Sequence, residues 1–175
     1  MSAGSESEAD GPHRPEGGGR RAARLAAVQA LYQIEMMDDE PEQVILEFVT
    51  ERQGVTFEGE DVMGMDRDFF ADLVRGAARR RRELDRVLSG GLAAGWRLER
   101  LEAVLLAILR IAAYELSMRA DVPVKVAINE YVEVAHAFFP PEQCGFVNAI
   151  LDRIAHQLRG HEFGGKSHDR PAEAG

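Results

Sequence analysis

Residues 102–118 read Glu-Ala-Val-Leu-Leu-Ala-Ile-Leu-Arg-Ile-Ala-Ala-Tyr-Glu-Leu-Ser-Met. At helical spacing, Val104, Leu105, Leu106, Ile108, Leu109, Ile111, Tyr114 and Leu116 leave little polar face. A helix that is apolar on most sides must be surrounded by other elements, so this segment is predicted to be the centre of the fold. Its apolar run, Val104 to Ala113, is interrupted by Arg110 and is too short to cross a bilayer. The surrounding elements are expected to be helical as well. No segment alternates apolar and polar residues over a strand's length, and β-branched residues are sparse.

The pattern predicts an all-α chain of six or seven helices. The first runs from about Arg20 to Met37, with Leu25, Val28, Leu31, Tyr32 and Met36 as its apolar stripe. A second starts at Pro41, a residue favoured at the first helical position, and offers Val44, Ile45, Phe48 and Val49. Gly54, Gly59 and Gly64 mark residues 54–65 as a mobile loop. A third helix, capped by Asp66, carries Phe69, Phe70, Leu73, Val74, Leu84 and Leu88 and stops at Gly90-Gly91. Trp96, Leu98 and Leu101 make a short connecting turn before the central helix. Pro123 opens a further helix through Phe139, Pro140-Pro141 ends it, and a last helix runs from Glu142 to about Leu158.

Residues 1–19 and 160–175 are rich in Gly, Ser, Glu and Pro and poor in apolar side chains, so both are expected to be disordered tails flanking one helical domain at 20–159. The single cysteine, Cys144, excludes an internal disulfide and suits a reducing compartment. With no basic segment leading into an apolar run at the N-terminus, no signal peptide is expected, and the chain reads as cytoplasmic, away from membranes.

The formal net charge is -9. Discounting Glu6, Glu8, Asp10 and Glu16 against Arg14, and Glu162, Asp169 and Glu173 against Lys166 and Arg170, leaves residues 20–160 at -5. Such a chain does not coat nucleic acid indiscriminately, because non-specific affinity comes from neutralising phosphates. A nucleic-acid role therefore requires a local basic patch and a partner.

Two basic clusters are present. Arg20, Arg21 and Arg24 fall within one arc about 100° wide at the start of the first helix. The arc overlaps the apolar stripe, and with arginines not expected to enter a core, this turn is predicted to overhang the bundle and present all three. They sit at the positive end of the helix dipole, where cations are disfavoured by about 0.3–1 kcal/mol each, which points to an external anion. A solubilising helix start is the plainer reading, and both stand. The run Arg79 to Arg82 points around most of a helix and reads as a solvated face, paired at i,i+4 with Glu83 and Asp85.

Lys125 and Asn129, four apart after Val122-Pro123-Val124, share a helix face. Phe146-Val147-Asn148 sets an aromatic near an amide. Such side chains stack on and hydrogen-bond to unpaired RNA bases, although singly each is more often packing or a cap. Catalytic machinery is not expected. The chain has no Gly-rich phosphate loop, no HExxH and no cysteine cluster for a metal, and no cofactor is implied. His136 and His156 lie on different helices, and Cys144 beside Gly145 reads as a small buried residue.

Four blocks in order carry a resemblance. Arg20-Arg-Ala-Ala-Arg-Leu-Ala-Ala-Val-Gln-Ala-Leu-Tyr32, Leu109-Arg-Ile-Ala-Ala-Tyr-Glu-Leu116, Asp121-Val-Pro-Val-Lys-Val-Ala-Ile-Asn-Glu130 and Phe146-Val-Asn-Ala-Ile-Leu-Asp152 resemble the NusB family across about residues 20–158. The resemblance implies two three-helix bundles packed at a steep angle. It also implies transcription antitermination: binding the boxA segment of nascent ribosomal-RNA transcripts together with NusE, a small-subunit ribosomal protein, in a complex that helps RNA polymerase resist termination. Arg20, Arg21 and Arg24 match the family's arginine-rich RNA-binding start, and Tyr32 and Phe146 match aromatics near its RNA surface. Lys125 and Asn148 join this RNA-binding set, and Leu105, Leu106, Val124 and Glu130 form the expected partner-binding set.

Two departures stand out. Leu105 and Leu106 replace the polar residues usual in the family, which makes the ribosomal-protein contact more apolar or turns it to self-association as a homodimer. Ala149 stands where many relatives have Gly, a small change that keeps tight helix packing. Two other functional classes fit less well. A stand-alone relative of the helical domain of ribosomal-RNA methyltransferases would need a following α/β domain. A protein-interaction module without RNA binding would leave the arginine start unexplained.

Overall fold

The computed structural model describes residues 16–50, 56–57, 60–61 and 64–160. They form helices α1 (Glu16–Met37), α2 (Pro41–Thr50), α3 (Arg67–Arg79), α4 (Arg81–Gly91), α5 (Ala103–Met118), α6 (Val124–His136) and α7 (Pro141–Arg159). Between α2 and α3 lies a two-residue antiparallel ladder, β1 (Thr56–Phe57) with β2 (Glu60–Asp61). It falls within the segment predicted as a mobile loop and is too short to change the all-α class. The rest of that loop at 54–55, 58–59 and 62–63, and the predicted tails at 1–15 and 161–175, lie outside the described residues. A 3-10 turn at Leu98–Arg100 stands where the sequence predicts a connection.

The first bundle is α1, α2 and α3. The second is α5, α6 and α7, with α4 laid against α5 and α7. The predicted centre holds: every residue of α5 from Ala107 to Leu116 is buried, and α5 packs against α1 and α3 as well as its own bundle. Helix ends follow the capping chemistry read from the sequence. The Asp66 side chain accepts from the amide of Phe69 at 3.0 Å, and Pro141 occupies the first turn of α7.

Three elements differ from expectation, the first being α6, which ends at His136 and not at Phe139. Helix α1 begins at Glu16, four residues early, because Gly19 fastens it: its carbonyl accepts from the Asp66 amide at 3.0 Å. A Cβ at Gly19 would sit 2.8 Å from the carbonyl oxygen of Gly64, so the close approach needs glycine. The single helix predicted from Asp66 to Gly91 breaks at Arg80, whose φ of -105° and ψ of 17° leave helical geometry. In one straight helix, the stripe of Leu73, Ala77, Leu84 and Leu88 would continue through Arg80 or Arg81, and a guanidinium cannot fill that position. The break lets α3 bury Leu73, Val74 and Ala77 while α4 buries Leu84 and Leu88, with the arginines outside.

Gly76 sets how closely α3 approaches α5. A Cβ there would lie 2.0 Å from Cζ of Tyr114, a buried ring whose hydroxyl donates to Asp72 at 2.8 Å. Gly76→Ala is expected to destabilise the protein by about 1–3 kcal/mol through overpacking. Gly90→Ala, which meets only ordinary contact at 3.6 Å from Gln157, is expected to stabilise it by about 0.5–1 kcal/mol through helix propensity. Urea-unfolding midpoints of the two variants check the opposite signs.

Candidate RNA-binding surface

The three arginines that open α1 have different fates. Arg21 is exposed and makes a bidentate pair with Glu130 of α6, at 3.0 and 2.9 Å. Arg20 is partly exposed, reaches Asp121 at 3.5 Å and lies over the Phe69 ring at 4.7 Å. Arg24 is 3% exposed. Its Nε donates to both carboxylate oxygens of Glu115 at 3.2 and 3.0 Å, and its Nη2 donates to Oε1 at 2.6 Å. The prediction that none of these arginines enters a core is therefore corrected for Arg24. Glu115 of α5 is 0% exposed, and its charge demands a cation inside the bundle.

The network closes on α6, where the buried Tyr131 hydroxyl donates to Glu115. Burial works against the Arg24 charge, but its hydrogen bonds and charge pairing with Glu115 outweigh that and raise its pKa. Burial, with the Glu115 charge beside it, also pushes the Tyr131 hydroxyl well above its ordinary range. At the surface edge, hydrogen bonds from Arg119 hold Asp121 down at about 2, so its carboxylate stays charged opposite Arg20.

Arg20 reaches Asp121 just ahead of α6 and Arg21 reaches Glu130 within it, so the start of α1 lies along the first turns of α6. Lys125 and Asn129 are both exposed there, on the shared face the spacing predicts. Tyr32 is exposed eleven residues beyond Arg21, close to three full turns, which sets it over the same face of α1 about 16 Å away.

Phe146 does not join this group. Arg159, at the end of α7, donates to the carbonyl of Val122 just before α6, so the start of α7 lies towards the opposite end of the bundle, about 20 Å away. There the Phe146 ring packs at 5.4 Å against Trp96, which is 54% exposed, beside a cleft bordered by Arg100 and Leu105. Asn148 is exposed, but two residues turn it about 200° from Phe146, so the predicted aromatic–amide pair shares no face. Trp96, read from the sequence only as part of a turn, is the surface aromatic that sequence reasoning missed. Its one signal in the sequence is a tryptophan following Gly95 in a short connection between helices.

The predicted partner-binding residues divide as well. Leu105 and Val124 are each 4% exposed, their side chains already taken up by neighbouring helices, so neither offers itself to a partner. Leu106 is half-buried and borders an open groove with Leu98 and Arg86. Glu130 is committed to Arg21 and lies 3.8 Å from Arg24. Ala149 is exposed, so no helix packs tightly against it and the expected packing role is corrected. Cys144 is buried with its sulfur 3.7 Å from the Phe139 carbonyl, as the sequence implies, and burial pushes its thiol up. No helix among the described residues is long and apolar enough to cross a membrane, and no group of three or more His, Cys, Asp or Glu side chains among them could hold a metal ion.

Fold and surface together define an all-α protein with an arginine-rich helix start clamped by carboxylates of its second bundle. Residues 21–156 match the model of the NusB family. The chain is 47% identical over 147 residues to the transcription antitermination protein NusB of Bradyrhizobium sp. (strain ORS 278), covering 84% of this chain and 88% of the relative. It is 49% identical over 140 residues to that of Caulobacter vibrioides, covering 80% and 94%. Among solved structures, T. maritima NusB superposes with a TM-score of 0.66 at 33% identity, covering 82% of this chain and 96% of that one. A structure of antitermination factors NusB and NusE in complex with double-stranded RNA has the same fold, with a TM-score of 0.64 at 22% identity, covering 78% and 96%. The chain belongs to the NusB family of transcription antitermination proteins.

Removing Arg24 strands the buried Glu115 charge, so Arg24→Ala is expected to cost about 3–5 kcal/mol of stability. Arg20→Ala and Arg21→Ala break exposed pairs and are expected to cost about 1 kcal/mol or less each. Urea unfolding of the three single variants measures the difference.

Proposed function

We propose that this chain binds the boxA segment of nascent ribosomal-RNA transcripts jointly with the ribosomal protein NusE, and so helps RNA polymerase resist termination in the cytoplasm. The observation that carries this reading is the partly exposed Arg20 and exposed Arg21, held beside Lys125 and Asn129 by carboxylates of the second bundle. An exposed ion pair is worth only about 0–1 kcal/mol, so Asp121 and Glu130 orient these guanidinium groups without preventing their transfer to phosphate. Arg24 is a positioning residue: it ties α1 to α5 and thereby sets where Arg20 and Arg21 stand.

The net charge of -9 fits a factor that does not bind RNA alone with high affinity, and the NusB–NusE–RNA complex among the fold relatives supports a joint mode. In this reading Tyr32 and Phe146 stack on unpaired bases, and Asn148 contributes a hydrogen bond. Phe146 lies about 20 Å along α7 from the start of α6, where Arg20 and Arg21 stand, which suits an extended RNA strand rather than one base pocket. Leu106 with its groove is the surface offered to the ribosomal protein.

The test is a titration of boxA and scrambled RNA, with and without NusE, at a series of salt concentrations. Wild type is expected to prefer boxA and to bind more tightly with NusE. Arg20→Gln/Arg21→Gln should weaken binding about ten-fold and lower the salt slope by about 1.4, at about 0.7 per phosphate on a single strand. Equal affinity of wild type for boxA and scrambled RNA under every condition would refute the proposal. Arg24 is left intact in this design, because its loss would unfold the site.

A further inference from the structure

Between residues 75 and 86 the chain carries six arginines and two carboxylates, although overall it has 30 acidic residues against 21 basic ones. Sequence spacing offers Glu83 and Asp85 as partners that would make this run an ordinary solvated face. The structure withdraws them. Both oxygens of Asp85 turn inward to Arg110 of α5, at 2.7 and 2.9 Å, and Glu83 approaches only Arg80, at 3.7 Å. Arg75 is engaged with Glu42. That leaves Arg79, Arg81, Arg82 and Arg86, all exposed, and none has an ion-pair partner among the described residues. Glu42 and Glu35 act on Arg79 and Arg81 only at longer range.

The contrast with the start of α1 is sharp, since each arginine there has a carboxylate. Arg81 and Arg82 also open α4, where the helix dipole already carries partial positive charge. Folding gains nothing from this arrangement. The break at Arg80 turns α4 away from the axis of α3, and Arg79, Arg80, Arg81, Arg82 and Arg86, with Glu83, line an open groove of about 390 Å³. Arg81 and Arg86 also line the neighbouring groove beside Leu106, together with Asp85 and Glu99.

We propose that this α3–α4 elbow is a second phosphate-binding surface, which holds the backbone of the same RNA outside its boxA segment. The inference rests on the RNA-binding reading above and extends it. Guanidinium forks match phosphate bidentately, and successive arginines fan around most of a helix, which suits a flexible polyanion that bends around the elbow better than a flat protein face. The elbow is also reachable from the first surface. Helices α1 and α3 run side by side in the same direction: Gly19 meets Asp66 at their starts, and near the far end of α1 Glu35 shares Arg110 with Asp85. Arg20 packs on Phe69, about 17 Å along α3 from Arg80.

The full chain with NusE is titrated over a salt series with two probes, boxA alone and boxA with flanking transcript. Arg79→Gln/Arg82→Gln, which leaves Arg81 beside the Leu106 groove intact, is expected to bind boxA alone as wild type does. On the flanked RNA it should lose several-fold affinity and about 1.4 units of salt slope, at about 0.7 per phosphate, whatever the flanking sequence. The matching Arg→Lys double variant should keep the slope. Should the Gln double variant fold poorly, Arg82→Gln alone, whose side chain makes no hydrogen bond or ion pair among the described residues, should lower the slope by about 0.7. Unchanged slope and affinity on flanked RNA, with wild type binding boxA normally, overturns the elbow site. So does a variant that keeps its RNA slope but loses NusE, because the elbow would then face protein. Failure of wild type to prefer boxA instead removes the RNA reading on which both proposals stand.

Discussion

Glu115 lies in the last turn of α5 with no exposure to water, in a helix whose other side chains are almost all apolar. An ionised carboxylate in such a place is expensive unless it is paired and hydrogen-bonded, and Glu115 is both. Arg24 of α1 grips both its oxygens and Tyr131 of α6 donates to one of them. No buried side-chain nitrogen or oxygen among the described residues lacks a hydrogen-bond partner. The pair joins the first bundle to the second at a fixed register. A sliding of α1 along α5 would strand two charges, so the relative placement of the bundles is tied to this contact more tightly than to any apolar one.

That contact sorts the cations of the protein by role. Arg24 and Arg110 are internal cross-links, the second joining Glu35 of α1 to Asp85 of α4. Arg20 and Arg21, one turn earlier on α1, inherit their position from Arg24 but stay at the surface on weak, exchangeable pairs. Of the elbow arginines, Arg79, Arg81, Arg82 and Arg86 lie beyond both networks and have no ion-pair carboxylate among the described residues. Guanidinium groups of one chemistry thus serve as structure, as oriented surface and as unneutralised charge, according to how much carboxylate surrounds each.

Much of the fold could be read from the sequence because its signals are local. Pro41, Asp66, Pro123 and Pro140-Pro141 bound helices through short-range backbone chemistry, and α5 declares its burial by lacking a polar face. What could not be read was long-range. Arg24 and Glu115 are 91 residues apart, and the arc of Arg20, Arg21 and Arg24 looks the same whether it faces water or a buried carboxylate. The clue lay in α5, where a glutamate in an apolar helix demands a buried cation. Likewise the fate of Asp85 depends on Arg110, which the sequence reading noted only as an interruption. The α3–α4 break was legible in principle, since an arginine stands where an unbroken stripe would need an apolar residue.

The division between a buried Arg24 and surface-facing Arg20 and Arg21 is tested most directly by NMR of arginine side chains, with boxA RNA and NusE added to the isotope-labelled chain. The Nε–H signals of Arg20 and Arg21 should shift as their partners change from carboxylate to phosphate. The signal of Arg24 should stay in place and exchange slowly with water, because the bond to Glu115 persists. A large shift and fast exchange at Arg24, with Arg20 and Arg21 unmoved, would contradict the account and would mean that the two bundles open when RNA binds.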